Sequence, residues 1–173
     1  MKHFFWLLTA CIFINFNGLY SFVPGQKDII KSFRKGDYLQ VDASVNPGRL
    51  SRGGEGKLVL KFKLKDGIKL SPHPFFSIEL SPSEALVFPK NFFSATDLDI
   101  QNEDKKDNEE IKFLKVDEDI EIPFTVTLDA EWGDHVLEGK IKYFAYSLEQ
   151  GWFLKNTIDF SASYYIRNRT IKR

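Results

Sequence analysis

From Gly36 onward, apolar residues recur at every second position, and no segment of ten or more residues keeps a convincing helical period. That one property restricts the fold more than any other. Successive side chains of a strand point to opposite faces, so strict alternation describes a ribbon with one buried and one wet face. The stretch GKLVLKFKLKDG is the sharpest case: Leu58, Leu60, Phe62 and Leu64 alternate with Lys57, Lys61, Lys63 and Lys65, and only Val59 breaks the lysine side. Asp66-Gly67 then signals a turn.

The same period runs through DYLQVDASV. It returns at Ile120, Ile122, Phe124, Val126 and Leu128, and again at Ile158, Phe160, Ala162, Tyr164 and Ile166. HVLEGKIKYFAYSL and IKFLKV also read as strands. FFSIELSP and ALVF lie between Pro72, Pro74, Pro82 and Pro89, as short edge strands and corners do. About eight short strands separated by turn signals predict an all-β antiparallel sandwich over residues 36–167. Hydrophobic content of 43% and seventeen Phe residues supply a core for it. Gln26 to Phe33 has room for one helical turn.

The N-terminus reads differently. MKHFFWLLTACIFINF opens with Lys2 and His3 and continues as an apolar run from Phe4 to Phe16, with Gly18 beyond it. The run is shorter than the roughly 20 apolar residues of a spanning helix and fits a signal peptide over residues 1–21, with cleavage near Leu19-Tyr20-Ser21. An uncleaved anchor is the other possibility. The single cysteine, Cys11, closes LTAC, which resembles a lipoprotein processing box. The expected location is therefore periplasmic or secreted, with membrane contact only if this segment is retained or Cys11 is lipidated.

Chemistry is sparse. The 24 basic and 24 acidic residues cancel, which argues against nucleic acid as a partner. Two histidines outside the leader and no second cysteine leave no zinc ligand set. The glycines of SRGGEGK precede a strand, whereas a phosphate loop precedes a helix. DLDIQNEDKKDNEE, Asp97 to Glu110, lacks the order and the glycine of a calcium loop and reads as a solvated hairpin loop. His135 beside Asp134 suggests a hydrolase triad only if a distant serine joins them. Asn168-Arg169-Thr170 is a glycosylation triplet. No cofactor, no metal site and no catalytic residue are expected, and the chain reads as a non-enzyme.

One stretch is more specific. GKIKYFAYSLEQGWF, Gly139 to Phe153, resembles the N-terminal periplasmic domain of the thiol:disulfide interchange protein DsbD family. In that family a strand of the form Gly-Lys-x-x-aromatic leads into a cysteine, and a short loop with Gly-Trp or Gly-Phe leads to a second. Gly139, Lys140, Ile141, Lys142 and Tyr143 match the strand. Ser147 matches the residue often found after the first cysteine, and Gly151 and Trp152 match the pair before the second. Weaker similarity extends over most of Gly36 to Ile166. The resemblance implies an immunoglobulin-like fold, and it places the two cysteine positions on Tyr146 and Phe153. Exchange proceeds through a thiolate, so the departure implies that this activity is lost. Tyr146, Trp152 and Phe153 are then either an exposed aromatic contact for an exported or membrane protein partner, or a pair packing across the hairpin. A small-ligand or carbohydrate-binding sandwich is the alternative function.

Overall fold

The structure is a computed structural model that describes residues 37–103 and 112–168. The leader with Cys11, the segment Gln26 to Phe33, residues 104–110 of the acidic loop, and Arg169 and Thr170 lie outside the described residues.

Among the described residues, ten strands form two sheets: β1 (Leu39–Asn46), β2 (Arg49–Ser51), β3 (Glu55–Leu64), β4 (Ile68–Ser71), β5 (Ser77–Leu80), β6 (Leu86–Val87), β7 (Phe92–Ser94), β8 (Ile120–Val126), β9 (Gly133–Ser147) and β10 (Phe153–Arg167). One sheet runs β1-β3-β8-β6. The other runs β2-β10-β9-β5-β7, with β4 also paired to β9. Every pairing is antiparallel except β2 with β10. These are the ABED and GFC orders of an immunoglobulin-like sandwich, with β2 added beside the last strand and β7 added beyond β5.

The long alternating segments form the body, and they do so because each has one apolar face to bury. β8 alternates buried and exposed without a break from Ile120 to Val126. β10 buries Phe160, Ala162, Tyr164 and Ile166 against β9 residues Leu137, Ile141, Tyr143 and Ala145, all within one core with Leu58, Leu60, Ile122 and Phe124 of the other sheet. Val59, the residue that breaks the lysine face, is only 8% exposed. No Cys or Met stands anywhere in the sandwich, since the one of each in the chain is Cys11 and Met1.

Two cross-strand pairs set the close packing. Gly56 lies opposite Phe124 in the first sheet, and Gly139 lies opposite Phe160 in the second. In each, the Phe ring occupies the space a side chain would take: a Cβ on Gly56 would lie 2.6 Å from Phe124 Cζ, and one on Gly139 would lie 2.5 Å from Phe160 Cζ.

Several short elements differ from the sequence expectation. β5 is not an edge strand, because it is flanked by β9 and β7, and the prolines lie outside its four residues. Pro72 to Phe76 bulge out between β4 and β5, opposite Tyr143 alone. The Ser71 hydroxyl holds that bulge by donating to the His73 carbonyl at 2.7 Å and accepting from the His73 N–H at 3.2 Å. IKFLKV makes one bridge, Asn102 with Leu114, instead of a strand. Its consecutive residues Phe113 and Leu114 are both buried, so it is anchored on both sides and crosses the sheet edge without alternating. The Leu114 N–H donates to the Leu70 carbonyl at 2.8 Å. Bonds from Glu103 N–H to Phe113 O and from Lys115 N–H to Gln101 O make the described arms of the acidic loop a hairpin. Asp97, at its start, binds Lys90 and Ser94, and these bonds hold its carboxyl well below the usual carboxylate range.

Candidate functional site

The hairpin between β9 and β10 carries the residues singled out in the sequence. Its tip turns at Gly151, whose φ of 64° lies in the left-handed region that side chains disfavour. The Gly151 N–H donates to the Ser147 carbonyl at 2.9 Å, the Gln150 N–H to the Ser147 hydroxyl at 3.2 Å, and the Ser147 N–H to the Trp152 carbonyl at 3.1 Å.

Tyr146 and Phe153 are directly opposed across this hairpin. Because Ser147 bonds to Trp152, the next pair along is of the non-hydrogen-bonded kind, in which Cα atoms approach to about 4.5 Å and side chains are closest. Their ring centroids lie 4.7 Å apart, tilted by 46°. Phe153 is 46% exposed and Tyr146 is half-buried. Strand alternation puts both on the outer face of the sheet, away from the core. Trp152 is one residue out of phase and turns to the other side. It packs 5.0 Å from Tyr38, next to the start of β1, and its Nε1–H donates to Gln150 Oε1 at 2.6 Å. The expected trio is thus a surface pair and a separate plug at the end of the sandwich.

Three further aromatics extend the pair. Phe113 stacks on Tyr146 with centroids 5.3 Å apart. Phe144, two residues before Tyr146 and on the same face, meets Phe75 edge-on at 5.4 Å, and Lys155 Nζ stands 5.2 Å from the Phe75 centroid. Phe144 was legible from alternation alone. Phe75 and Phe113 reach the face from an irregular bulge and a crossing segment that no period marks. Two ion pairs flank the stripe, Lys69 with Glu103 and Lys142 with Glu79, each at 2.5 Å.

Beneath this face, Tyr143 is 1% exposed. Burial pushes its phenol up to about 12, with a hydrogen bond to the Asn156 side chain acting the other way. Phenol and phenyl groups at the surface offer hydrophobic and stacking contact. They offer no thiolate, so disulfide exchange has no reacting atom here.

The other candidates are not assembled. Asp134 and His135 are consecutive on β9, so their side chains leave opposite faces. The His135 ring stacks on Tyr164 at 5.3 Å, and its Nε2 bonds to the Glu131 carbonyl at 2.9 Å. His73 is held in the bulge described above. Among the described residues, no group of three His, Cys, Asp or Glu side chains is placed to hold a metal. Nor is any helix among them long and apolar enough to cross a membrane. A shallow groove of about 690 Å³ runs over the first sheet, lined by Pro47, Val87, Phe88, Pro89, Pro123 and the Lys57–Glu121 ion pair.

No family model matches the chain, and no curated protein matches it. Two solved structures are similar in outline. A cohesin module from a Clostridium perfringens family 33 glycoside hydrolase is 13% identical, over 75% of this chain and 97% of its own, with a TM-score of 0.42. AggA, the major subunit of aggregative adherence fimbriae type I from Escherichia coli, is 11% identical, over 76% of this chain and 97% of its own, with a TM-score of 0.37. Neither score is high enough to bear on what this chain does.

Proposed function

We propose that this chain is an exported, non-catalytic protein-interaction module, a relative of the DsbD N-terminal domain in which an aromatic pair replaces the redox cysteines. The observation that carries the reading is the direct opposition of Tyr146 and Phe153 on an immunoglobulin-like sandwich. A cross-strand pair of this kind has Cα atoms at the lower end of the range a disulfide spans. The partner would dock on the outer face, with Phe153 as its exposed anchor and Tyr146, Phe113 and Phe144 as the apolar floor. Aromatic anchors of this kind carry most of the energy of many interfaces.

Two experiments test the two halves of the proposal. In a Cys11→Ser background, the double variant Tyr146→Cys/Phe153→Cys should close an intramolecular disulfide on mild oxidation, read as a mass loss of two hydrogens that reductant reverses. Two free thiols after oxidation would refute the ancestral geometry. For the binding half, exported proteins of the host are captured on the wild-type chain and on Phe153→Ala. A partner retained by the first should be lost from the second. Equal capture by both would remove Phe153 from the interface, and saturable binding to a sugar panel with no protein captured would favour the carbohydrate alternative.

A further inference from the structure

Among the described residues, no strand pairs with the outer side of β10 before Tyr165. β10 pairs with β9 from Phe153 to Ile166, but β2 meets its other side only at Tyr165 to Arg167. The hydrogen bonds fix which groups point where. Trp152, even-numbered, directs its carbonyl to β9, whereas Tyr165, odd-numbered, donates its N–H to Gly48 on the outer side. Phe153, Lys155, Thr157, Asp159, Ser161 and Ser163 therefore turn their main-chain groups to the open edge. The Thr157 N–H is taken up locally by Asn156 Oδ1 at 2.9 Å. β1 runs nearby in the facing sheet and is paired to β3 along its whole length.

An open edge is a template for another strand, and proteins usually blunt it. The β6 edge of the first sheet does so: β6 is two residues long, Pro89 follows it, and Pro123 stands on β8 where an N–H would otherwise face outward; the other edge of that sheet is β1, eight residues long and without proline. β7 is three residues long. From Phe153 to Ser163, β10 has no proline, no glycine and no bulge in its register with β9.

We propose that this edge pairs with the same edge of a second copy, antiparallel about a two-fold axis at Thr157. Charge selects the occupant and the register. The outward side chains between Phe153 and Ser163 include two charges, Lys155 and Asp159, placed symmetrically about Thr157. With the axis there, each Lys155 lies opposite Asp159 of the second copy, and the pair occurs twice, as a self-complementary interface requires. An axis at Lys155 or at Asp159 sets like charges against each other. Within one copy, Lys155 leans over Phe75 and Asp159 lies opposite Lys140 of β9, so each gains a second neighbour and loses none. Half-buried Ile158 comes to lie opposite Asn156 of the second copy.

The test is sedimentation equilibrium of the purified full chain with a charge swap, folding being checked by circular dichroism. Wild type should be dimeric at about 0.1 mM, and Lys155→Asp or Asp159→Lys alone should weaken the dimer at least about tenfold, because each turns two attractions into two repulsions. The double variant Lys155→Asp/Asp159→Lys should restore it. Thr157→Pro removes an outward N–H, together with its bond to Asn156 Oδ1, but no bond to β9, and should also give a monomer with an intact β9–β10 ladder. A wild-type monomer at that concentration overturns the proposal. So does a dimer that is indifferent to the single changes, or a folded double variant that stays monomeric. The swap separates this edge from association through the apolar N-terminus, which it leaves untouched.

Discussion

Replacing Gly139 by alanine asks whether the second sheet is packed as tightly as its register states. Gly139 sits mid-strand on β9 and is not among the positive-φ glycines, so its backbone is open to any residue. On propensity alone the change should stabilise by about 0.5–1 kcal/mol, since glycine loses the most backbone freedom on folding. Space argues the other way. The new Cβ would lie 2.5 Å from Phe160 Cζ and 2.8 Å from the Glu79 carbonyl oxygen. The ring has some freedom to tilt, but the carbonyl belongs to β5, which is held between β9 and β7. Overpacking of this kind costs about 1–3 kcal/mol, which outweighs the propensity gain. The net expectation is a loss of about 1–2 kcal/mol, or roughly 4–8 °C in melting temperature for a domain of this size. Urea and thermal unfolding followed by circular dichroism would measure it. Adding Phe160→Leu should recover only part of the loss, because the carbonyl contact remains. A Gly139→Ala protein that melts at or above the parent would refute the close approach of β5, β9 and Phe160.

The other expectations are shorter. Phe124→Ala removes a ring that is 3% exposed and fills the space over Gly56; it should cost about 3–5 kcal/mol, and a parental urea midpoint would contradict the packing. Gly151→Ala meets no atom within 4 Å, so its cost of about 1–2 kcal/mol should be purely conformational, with Gly151→Asn milder than Gly151→Ala. Tyr143 has a folded pKa raised above its unfolded value near 10, so its contribution is fully present below about pH 10 and is lost as pH rises toward about 12. Tyr143→Phe should flatten that alkaline loss in melts taken across this range, and an unchanged profile would show that the phenol is not the group responsible.

The body of the sandwich was legible because burial writes itself into long strands. β3, β8, β9 and β10 run from seven to fifteen residues, and alternation sustained over such lengths marks a ribbon with one face buried. β2, β4 and β7 have three or four residues, too few to show a period, and β4 buries two neighbours in a row at its end. IKFLKV had the composition of a strand and became a crossing segment, because Phe113 was drawn to Tyr146 on one side and Leu114 to the core on the other. In the site, the placement of Tyr146 and Phe153 at the two ends of a short loop was enough to suggest that they meet. The orientation of Trp152 was not readable, since it depends on where the turn at Gly151 restarts the alternation. The Phe75–Phe144 contact brings a proline-flanked bulge against the middle of a strand, and nothing local announces it.

The sandwich is free of sulfur, and that makes it deaf to oxidants that other folds must guard against. It has no thiol to be oxidised, no thioether to become a sulfoxide, and no cross-link to be reduced. Its stability is therefore the same in an oxidising compartment as in a reducing one. A surface built on such a frame can be presented wherever the chain is delivered, and the thiol–disulfide balance of that place does not switch it on or off.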